Sequence, residues 1–283
     1  MGRKKPLVTE DWIARRIKEG YGQGEGADYK PWLVVQTVSS LGRVHRIKGT
    51  KHGRVHHLFS DLERNNLLYY QWSRRVTDIR EQFPLLPVEE TVEIAREMGV
   101  PHPIDSRTRW PLVMTTDLLL SVNEKARATL HPRTIKYAKD IGNVRVLEKL
   151  EIERRYWAAS PRNHLLKILT EEPISEEFVR NMLWVSSCYW AIDLAPLSVA
   201  DINRIALPLT SLVVANDLSL ATGSQKCDRL LKLKTGTSLL VARHLMAIRY
   251  WEVDMSTRID TAKPLILLNK PKATVYVKSG LAA

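Results

Sequence analysis

The sequence predicts an α/β protein with two domains: a mixed α/β domain over residues 1–172 and a mainly helical domain over residues 173–283. Up to residue 172, short strand-like apolar runs alternate with segments whose apolar residues recur at helical spacing. Beyond Pro173 the strand-like runs become rare while segments of helical spacing continue. The length of 283 residues is near twice that of a usual single domain and fits this division.

Four helices are expected in the first domain. Thr9 precedes an acidic first turn, and the helix that it caps stops at Gly20. Ser60 and Glu63 have the spacing of a capping box, which predicts a helix from Ser60 to about Trp72. The other two helices follow from apolar spacing and cover residues 88–98 and 144–159.

Strands are expected where apolar residues run between turn signals. Residues 112–122 and 127–137 are two such runs, joined by Asn123, Glu124 and Lys125, and they predict a hairpin. The glycine-containing turn at residues 51–54 is expected to lead back toward the helix that begins at Ser60. The remaining predicted strands cover residues 32–36, 43–47, 76–83 and 165–169.

Four glycines at alternate positions, Gly20, Gly22, Gly24 and Gly26, are spaced somewhat like a phosphate-binding loop. A dinucleotide-binding loop follows a strand, whereas these glycines follow a helix. We therefore interpret the run as a flexible connector that lets the backbone approach a ligand.

The second domain has the outline of a winged helix. Helical spacing covers residues 176–190, 199–206 and 226–233. A helix that ends at Lys234, Thr235 and Gly236 is followed by a Thr237-capped helix through Ala247. Two predicted strands, residues 250–254 and 275–278, would supply the hairpin of the wing.

Composition excludes several classes of protein. Hydrophobic residues make up 44% of the chain and charged residues 26%, which excludes a disordered, collagen-like or coiled-coil chain. No apolar run approaches about eighteen residues, and the first residues lack the core of a signal peptide, so no membrane contact is expected. Cys188 and Cys227 are too few for a disulfide framework or a zinc ribbon. These features predict a cytoplasmic protein.

The net charge of +12 indicates a polyanionic partner, with DNA or RNA first among the candidates. Residues 1–60 contain 12 basic and 5 acidic residues and so supply +7 of this excess. A surface that is basic for solubility alone is the alternative. Arg154 and Arg155 fit DNA contact or a solvated helix face equally well.

Glu63, Asp117 and Lys136 together offer the groups that hydrolysis of a phosphodiester requires. Carboxylates hold a hard cation, and an ammonium lies near the developing negative charge. Asp117 stands inside an apolar predicted strand, where an aspartate is costly, and Lys136 lies in the partner strand. A structural salt bridge between Asp117 and Lys136, with Glu63 as a capping residue, explains the same pattern.

Several stretches resemble the TnsA family, the endonuclease subunits of heteromeric cut-and-paste transposases. The likeness runs in family order through most of residues 9–157 and is weak beyond residue 172. It implies a restriction-endonuclease-like mixed sheet flanked by helices, followed by a winged-helix-like domain. The stretches that carry it are residues 13–20, 53–57, 60–63, 78–87, 114–117, 135–136 and 147–157.

The resemblance implies that Glu63, Asp117 and Lys136 are catalytic, with Mg²⁺, or Mn²⁺ in its place, held between the two carboxylates. Family members usually have a glutamine that helps the metal two residues before the lysine, where this chain has Thr134 with a single hydroxyl. The main-chain carbonyl of Ile135 offers another oxygen. Glu153 matches a further acidic position of the family.

The resemblance also implies a role and partners. The chain would cut the 5′ ends of a transposon in the bacterial cytoplasm, beside a TnsB-like transposase subunit that cuts the 3′ ends and a TnsC-like AAA+ ATPase. A stand-alone restriction or repair nuclease of the same fold, and a non-catalytic winged-helix DNA-binding regulator, are the alternatives. Contacts to transposon-end DNA are expected from basic residues of the N-terminal region, namely Arg15, Arg16, Lys18, Arg43, Arg46 and Arg54.

The second domain is expected to bind the ATPase, with DNA contact secondary. Residues 173–283 carry 13 basic and 9 acidic residues, a weaker excess than that of the first domain. The helix from Thr237 to Ala247, which would be the recognition helix, carries Arg243 and His244 among apolar residues. Most of this helix should therefore be buried or face protein.

Overall fold

The computed structural model describes residues 7–37, 42–124, 127–171, 174–269 and 271. The chain divides into two units, residues 1–173 and 174–283, which we call the N-terminal and the C-terminal unit. The described part of the first unit mixes strands and helices, and that of the second is helical. The α/β fold class predicted from the sequence is thereby confirmed.

Helices and strands alternate through the N-terminal unit, and most of them lie within a few residues of their predicted positions. In chain order the elements are α1 (Glu10–Lys18), β1 (His45–Lys48), β2 (Val55–Leu58), α2 (Asp61–Trp72), β3 (Val76–Pro84), α3 (Val88–Glu97), β4 (Thr115–Glu124), β5 (Arg127–Ile135), α4 (Ala138–Ile141), α5 (Val144–Ala158) and β6 (Lys167–Leu169).

One four-stranded sheet organises this unit, with the strand order β3-β4-β5-β6. β3, β4 and β5 are antiparallel, and Leu118 of β4 pairs with Arg133 of β5, which confirms the predicted hairpin. β6 runs parallel to β5, with Ile135 opposite Leu169, so the chain between them crosses over through α5. β1 and β2 form a separate antiparallel pair.

Apolar layers cover both faces of the sheet. Leu118 and Leu120 of β4 share one buried cluster with Leu67 of α2. Leu119, which lies between them, belongs to a second cluster with Ile152 of α5. Because successive side chains of a strand point to opposite faces, α2 and α5 pack on opposite sides of β4. The helices therefore bring their side chains to the sheet from both sides.

The outer edge of β3 is covered by the chain that precedes it. Four main-chain carbonyls of β3 accept hydrogen bonds from residues of this segment. The pairs are Thr77 O with His52 Nε2 (2.9 Å), Ile79 O with Arg54 Nη2 (2.5 Å), Glu81 O with Tyr29 Oη (3.0 Å) and Gln82 O with Trp32 N (3.2 Å). These contacts satisfy carbonyl acceptors on an edge strand that would otherwise be open to pairing with another chain.

Glu81 of β3 forms a buried ion cluster with Arg54, which directly precedes β2, and with residues of β2 itself. Its carboxylate accepts two hydrogen bonds from Arg54, at 2.8 and 2.6 Å, and one from His56 Nδ1 at 2.7 Å. The main-chain N–H of His57 donates a fourth at 3.1 Å. Burial alone would raise the pKa of Glu81, but His56 and Arg54 outweigh burial and hold this pKa well below its ordinary value. The cluster ties β2 to the central sheet.

Gly22, Gly24 and Gly26 of the glycine run after α1 lie close to neighbouring groups, so the interpretation of this run as a flexible connector is wrong. Gly22 and Gly24 have φ of +76° and +83°. A Cβ on Gly22 would lie 2.3 Å from Cγ of Pro84, and one on Gly24 would lie 2.7 Å from the carbonyl oxygen of Asp28. The backbone thus needs glycine for close approach to the end of β3 and to its own turn.

Two predictions around this segment fail. Residues 32–36 do not form a strand, because Trp32 is buried and donates its N–H to Gln82, after which the chain turns with Thr37 N bonded to Val34 O. The strand β2 was not predicted, since its four residues follow a glycine turn that the sequence places before a helix. In both cases tertiary contacts with β3 decide the local structure.

The C-terminal unit is built around its last described helix. Its elements are α6 (Glu176–Ser186), α7 (Val199–Val214), α8 (Leu220–Leu230) and α9 (Thr237–Ala247). Every residue of α9 is buried or half-buried, as the sequence predicts for most of that helix. Thr237 does not cap α9. The buried carboxylate of Asp228 on α8 instead accepts hydrogen bonds from the N–H groups of Gly236 and Ser238, both at 2.8 Å.

The predicted strand at residues 250–254 is wrong. The N–H groups of Tyr250 and Trp251 both bond to the carbonyl of Leu245, which turns the chain sharply after α9. The Trp251 side chain is fully buried, and its Nε1 donates to Thr210 at 3.1 Å. Alternating burial therefore comes from packing against helices, not from a β-ladder. The strand predicted at residues 275–278 lies outside the described residues, so the described part of this unit contains no wing.

Cys188 and Cys227 are buried free thiols. No helix among the described residues combines the length and the apolar character that a membrane span requires.

We predict that Glu81→Gln destabilises the N-terminal unit by about 3 kcal/mol near neutral pH, because it leaves the Arg54 guanidinium buried without its counter-charge. The lowered pKa of Glu81 stabilises the fold above the pKa of an unfolded glutamate, near 4.3, and this contribution is lost as the pH falls. Denaturant unfolding of wild type and Glu81→Gln measures the free energy of unfolding from pH 7 to pH 3. As the pH falls, this free energy should decrease less steeply in the variant than in wild type. Equal slopes would contradict this assignment.

Candidate active site

Three elements bring the predicted catalytic residues together. Glu63 lies in the first turn of α2, Asp117 lies near the start of β4, and Lys136 directly follows β5. Ser60 caps α2 by accepting a hydrogen bond from Glu63 N at 3.1 Å. The β4–β5 pairing brings the start of β4 beside the end of β5. The fold thus places Asp117 beside residues 134–136.

One oxygen of Asp117 connects these residues. Its Oδ2 accepts hydrogen bonds from Ile135 N at 2.6 Å, Lys136 Nζ at 3.1 Å and Thr134 Oγ1 at 3.2 Å. Lys136 Nζ also donates to the carbonyl of Ile135 at 2.8 Å. The Asp117–Lys136 ion pair is therefore present, as the structural interpretation of the sequence requires. Its surroundings show that it belongs to a larger polar cluster.

Glu63 is buried within this cluster. Its Oε2 accepts hydrogen bonds from Phe59 N at 3.0 Å and Gln82 Nε2 at 3.2 Å, and its Oε1 accepts one from Ser60 Oγ at 3.1 Å. Burial and the nearby Asp117 carboxylate raise the pKa of Glu63 to about 7. A capping role alone does not account for a carboxylate held in a site that disfavours its charge.

Glu153 of α5 belongs to the same cluster. Its carboxylate accepts hydrogen bonds from Thr116 Oγ1 at 2.7 Å and Thr134 Oγ1 at 3.0 Å. Trp157 Nε1 donates to Thr116 Oγ1 at 2.7 Å and so anchors this arrangement to α5. Burial and the Asp117 charge raise the pKa of Glu153 to about 7. The single hydroxyl proton of Thr134 lies within reach of two carboxylates and can serve one at a time.

The ammonium of Lys136 remains charged in this setting. Burial would lower its pKa, but the carboxylates of Asp117 and Glu153 outweigh burial, and the pKa is raised above its ordinary value. The side chain is 33% exposed, so the ammonium lies at the surface of the cluster. It supplies a fixed positive charge where an anionic phosphate can approach.

The donor set fits a hard divalent cation. Burial and the Asp117 charge raise the pKa of both Glu63 and Glu153, and a bound cation would offset the repulsion between Asp117 and each of them. Lys136 Nζ bridges Asp117 Oδ2 and Ile135 O, two of the oxygens that the family resemblance implies for a metal. Among the described residues no group of three or more His, Cys, Asp or Glu side chains is arranged as a ready metal site. Mg²⁺ needs only one or two protein carboxylates beside its waters.

Thr134 supports the carboxylates in this structure. Its hydroxyl contacts both Asp117 and Glu153, and its side chain is almost fully buried. At the position where the resemblance implies a glutamine, this chain thus has a threonine within the carboxylate cluster.

The six arginines and lysines assigned to DNA divide into two groups. Arg15, Lys18, Arg43 and Arg46 are exposed. Arg16 is buried, the side chain of Arg54 is 9% exposed, and both use their guanidinium groups inside the fold. Arg16 stacks on Tyr21 at 3.6 Å and donates to the carbonyl of Trp32, and Arg54 binds Glu81. A role in DNA contact does not fit these two residues.

Gln82, Thr116 and Trp157 were not predicted as site residues. Gln82 and Thr116 occupy strand positions in which nothing nearby in sequence indicates a ligand, and Trp157 looks like a core aromatic. Their roles arise from contacts across 19 to 41 positions of sequence. Only the tertiary fold reveals them.

Comparisons with known proteins identify the family of this chain. A family model described as TnsA-like endonuclease N terminal matches residues 73–171, which include Asp117, Lys136 and Glu153 and begin after Glu63. A second model, described as TnsA endonuclease C terminal, matches residues 173–255. The chain is 44% identical over 187 residues to the transposon Tn7 transposition protein TnsA of Escherichia coli, an alignment that covers 66% of each protein. With both parts matched in order, this chain belongs to the TnsA endonuclease family.

Proposed function

We propose that the chain is the metal-dependent DNA endonuclease subunit of a transposase, cutting the 5′ ends of a transposon during cut-and-paste transposition. The observation that carries the proposal is the hydrogen bonding of Asp117 Oδ2. This carboxylate oxygen accepts hydrogen bonds from an ammonium and from a main-chain N–H, and a second buried carboxylate, Glu63, lies close enough to interact with it electrostatically. Family membership supports the same interpretation.

Each residue of the cluster has a role in this reaction. Glu63, Asp117 and the Ile135 carbonyl would hold Mg²⁺, or Mn²⁺ in its place, which when bound acidifies a water and polarises the phosphoryl oxygen. Lys136 holds its positive charge beside the phosphate as negative charge develops there. Thr134 lies between Asp117 and Glu153 and donates its one hydroxyl proton to either carboxylate.

The transposase interpretation is preferred over its two rivals. A winged-helix regulator would present an exposed recognition helix, whereas α9 is buried or half-buried along its whole length. A stand-alone nuclease would act without partners, but the relative that the chain matches is named as a transposition protein. We therefore propose DNA of the transposon ends as substrate, with a TnsB-like subunit and a TnsC-like AAA+ ATPase as partners.

Paired variants separate the two charges at the site. We expect Asp117→Asn to abolish 5′-strand cleavage and to weaken Mn²⁺ binding, because it removes a proposed metal ligand. Lys136→Met should lower cleavage about a hundred-fold while Mn²⁺ binding stays near wild type, because an ammonium stabilises charge without ligating. Cleavage of each strand is measured with end-labelled transposon DNA, Mg²⁺ and the partner proteins. Mn²⁺ binding is measured by calorimetry without DNA.

Matched controls for that experiment are Asp217→Asn and Lys149→Met, which change exposed residues. Both should cut like wild type. If Asp117→Asn cuts DNA like wild type, Asp117 is not an active-site residue. If Lys136→Met loses Mn²⁺ affinity, the role assigned to Lys136 is wrong.

The exposed basic residues of the N-terminal unit are proposed to contact the phosphate backbone. Changing Arg15, Lys18, Arg43 and Arg46 to glutamine should reduce the slope of log affinity against log salt by up to about 3.6, about 0.9 for each phosphate that is no longer neutralised. Fluorescence anisotropy with transposon-end DNA at several salt concentrations measures this slope. A control variant neutralises four exposed cations of the C-terminal unit, Arg180, Arg204, Lys232 and Lys263. Equal slopes for both variants would contradict the assignment.

The C-terminal unit is proposed to bind the TnsC-like ATPase. Arg243 and His244, the two polar residues noted on α9, are used inside the fold: Arg243 donates to the carbonyl of Trp184 at 2.6 Å, and His244 Nδ1 donates to that of Cys188 at 2.7 Å. Hydrogen exchange of the full chain with and without the ATPase should therefore show protection concentrated in residues 174–269. Protection confined to residues 7–171 would place the partner on the other unit.

A further inference from the structure

Gln82 has an unusual backbone for a strand residue. Its φ is +48°, inside β3, and it is 3% exposed. A positive φ is uncommon for residues other than glycine and persists where the surroundings impose it. Here the carbonyl of Gln82 accepts a hydrogen bond from Trp32 N at 3.2 Å, so the chain before β3 contributes to holding this conformation.

The side chain of Gln82 reaches the cluster described above. Its Nε2 donates to Glu63 Oε2 at 3.2 Å, and its Oε1 accepts from Thr115 Oγ1 at 3.3 Å. The two contacts fix the amide orientation, because a carboxylate only accepts and the threonine hydroxyl can donate. In the β3–β4 register, Gln82 lies between the pairs Glu81–Leu118 and Phe83–Thr116 and is therefore level with Asp117.

Glu63 needs an external group to set the orientation of its carboxylate. Rotation about the last side-chain bond of a glutamate is soft, so hydrogen bonds decide where the two oxygens point. Three donors reach this carboxylate. Phe59 N and Ser60 Oγ belong to the cap of α2 and fix the carboxylate relative to its own helix. Gln82 comes from the sheet that carries Asp117.

We propose that Gln82 is a positioning residue that fixes Glu63 relative to Asp117, an inference that rests on the proposed metal-dependent cleavage. The strained strand position directs the amide to Glu63, and Thr115 holds it there. Without the amide, the helix-borne carboxylate loses its hydrogen bond to the sheet. The spacing between the two acidic ligands then becomes looser, and a cation that both must hold binds less well.

The test compares two buried glutamines changed in the same way. Gln82→Met keeps the side-chain length and removes the amide. Gln71→Met is the control, since Gln71 is also buried, lies on α2, and has an amide without a hydrogen-bond partner in the described part of the chain. Mn²⁺ binding to the full chain is measured by calorimetry without DNA, and cleavage with Mg²⁺ and the partner proteins gives kcat and KM.

The expected result for Gln82→Met is an Mn²⁺ dissociation constant raised about ten-fold and a kcat lowered about ten-fold, with KM for DNA unchanged. Gln71→Met should match wild type in all three. Thr115→Val removes only the hydroxyl that holds the amide. It should also raise the Mn²⁺ dissociation constant and lower kcat, each by less than Gln82→Met does. If Gln82→Met does not fold, Thr115→Val decides the question.

The inference is overturned if Gln82→Met binds Mn²⁺ and cuts DNA as well as Gln71→Met does. It is also overturned if Gln82→Met raises KM and leaves kcat unchanged. Wild-type metal affinity in Thr115→Val overturns it where Gln82→Met cannot be made. A wild-type chain that neither binds Mn²⁺ nor cuts DNA overturns the proposed function as well, so the two failures are distinguishable.

Discussion

A carboxylate near the start of an apolar strand requires compensating donors, and Asp117 obtains them from a single short stretch of chain. Residues 134–136 supply a hydroxyl, a main-chain N–H and an ammonium to the same oxygen. This arrangement depends on the register of β4 with β5 and on the parallel pairing of β5 with β6, which together fix the end of β5. The other acidic groups are arranged around that point, each from a different helix.

The acidic cluster also depends on contacts between β3 and the chain that precedes it. Hydrogen bonds from residues 29–54 satisfy its carbonyls, and the Glu81 ion cluster connects it to β2. The same contacts determine the backbone at Gln82, whose amide contacts Glu63. Two arginines of the basic N-terminal region, Arg16 and Arg54, are thus used inside the fold, and its exposed cations remain available to a polyanion. Net charge alone does not separate these two uses of arginine.

The elements that the sequence predicted correctly are those with local signals. The cap at Ser60, the hairpin of β4 and β5 and the helical spacing of α5 depend on neighbours within a few positions. Asp117 was found because a charge in an apolar strand is anomalous, and its pairing with Lys136 follows from the hairpin. Gln82, the covering of β3 and the turn after α9 depend on contacts between distant residues. Patterns of hydrophobicity carry no information about such contacts, which is why residues 32–36 and 250–254 resembled strands.

The covering of β3 also bears on the order in which the chain assembles. Residues 29–54 leave the ribosome before β3, yet their hydrogen-bond acceptors lie on β3 itself, and β3 is paired only once β4 has been made. The Gln82 backbone, which Trp32 helps to hold, requires that this early segment be docked on β3, whereas Asp117 is carried by β4. Completion of the acidic cluster therefore requires the docked segment as well as the pairing of β3 with β4.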